Sequence, residues 1–145
     1  MTQSIMKGLL AALFILGALN AQAEGKTELT LRTVPNLSTQ VRDGQRIGGG
    51  EIRTQEAHSG YQVRLDAPLL GDAPNRYVIL GGNNPQHKLR VMLGQDGWTP
   101  NKKTMNGIIK QTSEAQTYFD IVADGNQIVP ADEYSLTVQG CYLEP

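Results

Sequence analysis

The chain has 145 residues, a formal net charge of −1 and a single cysteine. Its charged residues are scattered without a basic stripe, which argues against nucleic acid or an anionic membrane as a partner. The length suits one domain that buries roughly two-thirds of its unfolded surface and needs no disulfides for its core.

The first predicted element is an export signal that covers residues 1–23. Lys7 precedes an apolar run over residues 8–19, and Ala21-Gln22-Ala23 has the small-x-small pattern of a signal-peptidase site. The apolar run is shorter than the about 20 residues that a membrane-spanning helix needs. We therefore expect export through the periplasm, followed by a single domain over residues 24–145.

The rest of the sequence predicts short strands, because apolar and polar residues alternate between turn residues. Clear alternation covers residues 27–34, 61–66, 76–80, 87–93, 117–123 and 133–142. Segments 45–55 and 106–112 are weaker candidates, and Gly48-Gly49-Gly50 predicts a bulge or bend in the first of them. Seven or eight short strands without a sustained helical period predict an all-β, Ig-like antiparallel sandwich.

The last predicted strand lies close to the end of the sequence. An Ig-like sandwich should continue with one further strand, but only Leu143, Glu144 and Pro145 follow. Since a strand takes about 5–6 residues plus a turn, we expect the position beside the last strand to be empty. Such an edge exposes backbone polar groups and core residues, and a strand donated in trans by another polypeptide would cover both.

Six short segments together resemble one known family. They are RDG (42–44), EAHSGY (56–61), RYV (76–78), GQDGW (94–98), FDIVADGNQ (119–127) and YSLTVQGCY (134–142). From about Leu29 to Tyr142 the chain resembles the minor, tip-located subunits of the Afa/Dr adhesin and aggregative adherence fimbria systems, the D-type invasins.

This resemblance implies a set of partners and a place on the cell surface. A periplasmic chaperone would lend a strand, an outer-membrane usher would export the subunit, and a major fimbrial subunit would donate a strand in the fibre. Adhesion to host cells, or invasion of them, would be the function, with integrins as candidate receptors. Only Glu24-Gly25-Lys26 separate the predicted cleavage site from the first strand. The subunit is therefore expected to accept a strand at the fimbrial tip and to donate none.

The residues expected to flank the empty position lie on the first and last predicted strands. They are Leu29, Leu31, Tyr134, Leu136, Val138 and Gly140, and Tyr142 is expected to anchor the chain end in the chaperone's cleft. In the relatives, the cysteine in the last strand pairs with one just before the EAH motif. Thr54 stands at that partner position here, so Cys141 can form no disulfide within the chain, and we expect it to act as a small buried hydrophobe.

The sequence predicts no catalytic, cofactor or metal site. His58 and His87 are the only histidines and have no carboxylate or cysteine at metal-ligand spacing, and no nucleophile, base and orienting group can be recognised together. Arg42-Asp43-Gly44 and Asp124-Gly125-Asn126 are predicted turns. Trp98 is expected either to cover the end of the sandwich or to contact a receptor. The competing hypothesis is a self-contained secreted periplasmic binding domain, a lectin or an inhibitor, that is not assembled into a fibre.

Overall fold

The computed structural model describes residues 15–23, 26–35, 37–94 and 97–145. Within these residues the regular structure consists of strands, and no helix has the length and apolar character needed to cross a membrane. The strands are β1 (Ile15–Ala23), β2 (Thr27–Thr33), β3 (Gln40–Val41), β4 (Arg46–Thr54), β5 (Gly60–Leu65), β6 (Arg76–Leu80), β7 (Lys88–Gly94), β8 (Thr99–Pro100), β9 (Ile108–Gln111), β10 (Gln116–Ala123), β11 (Gln127–Ile128) and β12 (Glu133–Leu143).

The strands form two five-stranded sheets and a small ribbon. One sheet has the order β1-β12-β5-β9-β8 and the other the order β2-β4-β10-β7-β6, while β3 and β11 pair with each other. The pairs between these strands are antiparallel except for β1 with β12, which is parallel. The two sheets face each other and enclose one apolar cluster. This is the all-β sandwich that the sequence predicts.

Period-two alternation places the core side chains. On β7, for example, Leu89, Val91 and Leu93 are fully buried while Lys88 is exposed. The predicted strands agree with the observed ones to within one or two residues at each end, and both weaker candidates are strands. The strands β3, β8 and β11 have two residues each, which is too short for an alternation that sequence could reveal.

A bulge at Ile47 lies directly before the three consecutive glycines of β4, within the segment where the sequence predicts a bulge. Ile121 of β10 is opposite Gly48, but the next residue of β10 is opposite Arg46, so one residue of β4 is left over. A Cβ atom on Gly50 would lie 2.7 Å from the Phe119 ring. Glycine at this position therefore lets the ring pack directly against the β4 backbone.

The predicted export signal is described only in part. Lys7 and the other residues up to 14 lie outside the described residues. Residues 15–23, which contain the second half of the apolar run and the predicted cleavage motif, form β1 at the edge of a sheet. A mostly apolar segment of this length can serve as a signal or as a strand, because both tolerate apolar side chains at successive positions.

Candidate functional site at the edge of strand β12

The position beside β12 that the sequence predicts to be empty is occupied by β1. The two parallel strands pair from Ile15 opposite Glu133 to Ala23 opposite Gly140, with one shift of register between these ends. Strand β5 pairs with the other edge of β12. In the full chain, β12 is therefore an inner strand, and its outer edge is covered by a segment of the same chain.

The site lies where the two sheets meet at one side of the sandwich. Strand β1 pairs with β12 of one sheet and also contacts β2, the edge strand of the other. The apolar residues predicted to flank this position belong to the core or pack against it: Leu29, Leu31, Tyr134, Leu136, Val138 and Tyr142. The three on β12 between residues 134 and 138 are at most 1% exposed, whereas those on β2 are half-buried.

Gly140 marks the closest approach of the two sheets at this site. A Cβ atom on it would lie 2.9 Å from Cδ1 of Ile52 and 3.5 Å from Cδ2 of Leu29. Both side chains come from the opposite sheet and reach the β12 backbone. The sequence prediction placed Leu29 and Gly140 on the two walls of one groove, and the structure brings them together.

A buried carboxylate fixes the beginning of β12. The side chain of Asp132 is fully buried and accepts hydrogen bonds from the backbone N–H groups of Glu133 (2.6 Å), Asn83 (3.0 Å) and Asn84 (3.2 Å). It also accepts from Nδ2 of Asn83 at 2.9 Å and from Nδ1 of His87 at 2.9 Å. These bonds tie the loop between β6 and β7 to the first residue of β12.

The same contacts determine the charge of this carboxyl group. Burial acts to raise the pKa of Asp132, but the hydrogen bonds from Glu133, Asn83, His87 and Asn84 outweigh it and lower the pKa from 3.8 to about 2. The group is therefore ionised at neutral pH. Sequence reasoning missed Asp132, because apart from the adjacent Glu133 its partners lie 45 to 49 residues away along the chain and form no local motif.

The EAHSGY segment holds the other end of β12. The backbone N–H of Ser59 donates to the carbonyl of Leu143 at 2.9 Å, and the Ser59 hydroxyl donates to the carbonyl of Glu144 at 2.7 Å. Strand β12 is thus fixed at its first residue by Asp132 and at its last residues by Ser59. Its long edge between these two anchors faces β1.

His58 and Tyr61 of the same segment join it to the loop before β10. The ring nitrogens of His58 lie 2.7 Å and 2.8 Å from the carbonyl oxygens of Glu56 and Glu114, and the Tyr61 hydroxyl donates to the same Glu114 carbonyl at 2.8 Å. Among the described residues no group of three metal-ligating side chains comes together. His58 acts here as a structural link between two loops.

Cys141 and Thr54, the two positions of the disulfide that the resemblance would imply, occupy different surroundings. Gly140 faces the core, so Cys141 faces outward; it is half-buried, and Nε2 of Gln62 donates to its sulfur at 3.0 Å. Thr54 is buried, and its hydroxyl donates to the carbonyl of Lys26 at 3.0 Å. The expectation that Cys141 is a buried hydrophobe is corrected, because alternation along β12 turns it away from the core.

Trp98 lies in the core rather than on the surface. It is 8% exposed, and its Nε1–H donates to the carbonyl of Tyr118 at 2.7 Å. Its ring meets that of Phe119 edge to face, with centroids 6.2 Å apart, and Nζ of Lys110 lies 6.0 Å from its centroid. A receptor contact needs an exposed ring, so this geometry favours the alternative that Trp98 covers the end of the sandwich.

Trp98→Phe is expected to lower the free energy of unfolding by about 1–2 kcal/mol, because it removes the indole hydrogen bond and some buried area. Denaturant unfolding measures this loss. Unchanged stability would contradict the packing role of the indole ring.

Solved structures of fimbrial subunits have this fold. The minor tip subunit HdaB of the Escherichia coli Hda pilus is 31% identical, with a TM-score of 0.77 over 82% of this chain and 85% of HdaB. The Salmonella SafD adhesin is 32% identical, with a TM-score of 0.79 over 83% of this chain and 86% of SafD. The fold is therefore the Ig-like sandwich of fimbrial subunits, and the class is that of adhesive fimbrial subunits.

The chain belongs to the AfaD invasin family of enterobacteria, whose family model matches residues 37–140. Protein AfaD of Escherichia coli is 36% identical over 119 residues, which cover 81% of this chain and 80% of AfaD. Protein AggB of Escherichia coli is 32% identical over 114 residues, which cover 78% of each chain. These relatives confirm the resemblance seen in the sequence; they are structural adhesin subunits of surface fimbriae and not enzymes.

Proposed function

We propose that the chain is a minor, tip-located subunit of a chaperone–usher fimbria and that the edge of β12 accepts a strand from another polypeptide. In this proposal residues 1–23 are an export signal, and cleavage after Ala23 removes β1. The single observation that carries the proposal is that the strand filling the edge of β12 coincides with the predicted signal. Its removal leaves the edge of β12 and the residues facing it without a neighbour.

The proposed partners follow from the strand that must replace β1. A periplasmic chaperone lends an apolar strand while the subunit is in transit, an outer-membrane usher exports it, and a major fimbrial subunit then donates a strand of its own. Covering the edge satisfies the backbone groups of β12 and removes apolar side chains from water. The seven flanking residues between Leu29 and Tyr142 form the strand-binding groove.

The tip position is supported by a relative and by the spacing before β2. HdaB is a minor tip subunit. After cleavage at Ala23, only residues 24–26 precede β2, which is too short for a donor strand of about 5–6 residues. Such a subunit closes the fibre, because it can accept a strand but cannot pass one on.

The task proposed for this tip is adhesion to host cells or invasion of them. Membership of the AfaD invasin family supports this proposal, as does a related structure of AAF fimbriae from enteroaggregative Escherichia coli, described for fibronectin binding and biofilm formation, with 35% identity. The receptor is a host cell-surface protein, and an integrin is the candidate to test first.

The strand-acceptor proposal is tested by comparing three forms of the domain. Residues 24–145 alone are expected to aggregate or to unfold at low temperature, because β12 then has an open edge. A strand-length apolar peptide fused after Pro145 through a short turn should restore a monomer and raise Tm by at least about 10 °C. The matched control carries the same fusion with serine at the apolar positions and should behave like residues 24–145 alone.

The competing hypothesis makes the opposite prediction. A self-contained lectin or inhibitor would yield a stable monomer from residues 24–145, with the same Tm in all three forms. That result would contradict the strand-acceptor function.

A further inference from the structure

Two of the segments that carry the family resemblance meet at one end of the molecule. The loop 42–44 lies against the turn 124–127: the backbone N–H of Asp43 donates to Oδ1 of Asn126 at 2.8 Å, and the backbone N–H of Gly125 donates to Oδ1 of Asp43 at 2.8 Å. The backbone N–H of Gly44 also donates to the carbonyl of Ala123 at 2.9 Å. These reciprocal bonds make the two turns one rigid unit.

This unit forms one wall of an open groove of about 680 Å³ beside the β3–β11 ribbon. The volume is within the range of small-molecule sites, roughly 300–1,000 Å³. None of the residues that line the groove belongs to β1, β2 or β12. The groove is therefore separate from the strand-binding edge, and what it binds does not depend on which strand covers β12.

Two amide side chains of the groove have their oxygens bonded to the backbone. Oε1 of Gln45 accepts from the backbone N–H of Arg42 at 3.1 Å, and Oδ1 of Asn126 accepts from the backbone N–H of Asp43. With both amide oxygens engaged, the NH₂ ends of Gln45 and Asn126 are the groups that remain to bind a ligand. The exposed guanidinium of Arg42 adds a positive charge, and no carboxylate lines the groove.

An aliphatic surface completes the groove. Ile128 of β11 is 76% exposed, although it is a large apolar residue in a strand, and Gln40 lies opposite it on the paired strand β3. Ligand sites combine such apolar surface with a few convergent polar groups, and here Ile128 lies in the same groove as the amide groups of Gln45 and Asn126. The C–H face of a sugar ring can pack on such an aliphatic side chain.

We propose that this groove binds a carboxylate-bearing sugar, such as a sialic or uronic acid unit. The carboxylate pairs with the guanidinium of Arg42, the amide groups of Gln45 and Asn126 donate to the carboxylate or to ring substituents, and Ile128 packs against the ring. An extended peptide fits less well, because β3 and β11 have two residues each and offer few backbone groups for an added strand.

The test is a titration of the ¹⁵N-labelled full chain with N-acetylneuraminic acid and glucuronic acid, followed by NMR. Saturable shifts are expected in the amides of Arg42, Gln45, Asn126 and Ile128 with at least one of the two acids. Galactose at the same concentrations should leave these signals unchanged, since it has no carboxylate.

Two isosteric variants test the donor groups directly. Gln45→Glu and Asn126→Asp keep the oxygen that accepts the backbone N–H but replace the donor with a negative oxygen. Each is expected to weaken sugar-acid binding at least about tenfold, the loss of one charge-assisted hydrogen bond. Gln116→Glu, an exposed residue at the other end of β10, makes the same change of charge elsewhere and should bind like the parent chain.

Three results would overturn the proposal. The first is that galactose binds as tightly as the sugar acids. The second is that neither acid causes saturable shifts of these amide signals. The third is that an acidic peptide causes saturable shifts and the sugar acids do not. None of them bears on the strand-acceptor function, which is measured by stability and assembly.

Discussion

In the domain completed by a fused strand, Val138→Asp is expected to lower the free energy of unfolding by more than about 4 kcal/mol and so to prevent folding. Val138 is fully buried in the core at the centre of β12, between Ala21 of β1 and Leu65 of β5. An ionised carboxylate there would have neither water nor a hydrogen-bond donor, and the protein would unfold before burying it. Yield of folded protein and circular dichroism measure this effect.

Ser135→Asp is the matched control for this prediction. Ser135 is exposed on the opposite face of the same strand, so the same new charge should change stability by no more than about 0.5 kcal/mol. Val138→Ala keeps a foldable chain and should cost about 2–3 kcal/mol, the loss of buried volume in a packed core. Normal stability of Val138→Asp would mean that the inner face of β12 is not part of the core.

Asp132→Ala is expected to lower the free energy of unfolding by about 3–5 kcal/mol. The substitution leaves the partly buried hydrogen-bond donors of Asn83, Asn84, Glu133 and His87 without their acceptor. Because these bonds hold the first residue of β12, the strand-accepting edge should lose its fixed position as well. Urea unfolding measures the stability, and hydrogen exchange of the β12 amides measures the local effect.

The pH dependence of stability gives a second measurement on the same group. Since the folded-state pKa of Asp132 is about 2 and its ordinary value is 3.8, the folded state holds this proton less tightly than the unfolded state. The resulting stabilisation is about 2 kcal/mol; it is fully present above pH of about 4 and is lost as the pH falls to about 2. The Ala variant should lack this portion of the acid dependence.

Asp72→Ala is the control for both measurements, because Asp72 is an exposed residue in a turn. It should retain the stability and the acid dependence of the parent chain. An Asp132→Ala variant with unchanged stability and an unchanged pH profile would contradict the role assigned to this network.

The proposed sugar-acid groove and the proposed strand-accepting edge of β12 lie in different parts of the molecule and have different tasks. The proposed strand-accepting edge consists of the backbone groups of β12 that pair with a neighbouring strand. The core-facing side chains of β12 lie beside this edge and are buried. The proposed sugar-acid site is built from turn residues whose backbone bonds fix their side chains.

The sequence by itself determined the strands and the family. Alternation of apolar and polar residues is a local property, so Leu89, Val91 and Leu93 could be assigned to one buried face without a structure. The order and spacing of the six short motifs were sufficient for the family. The same alternation, together with the position of the last strand, predicts which residues flank the proposed strand-binding groove, Leu29 and Leu136 among them.

Only the tertiary structure decided the contacts between distant segments. The network around Asp132 joins residues 45 to 49 positions apart, and the turn at Asp43 meets the turn at Gly125 across 82 positions; no local pattern encodes such pairs. Residues 15–23, which are apolar except for Asn20 and Gln22, satisfy the requirements of an export signal and of an edge strand equally well. Their pairing with β12 depends on the shape and the unsatisfied backbone groups of that edge, which exist only once the two sheets have packed.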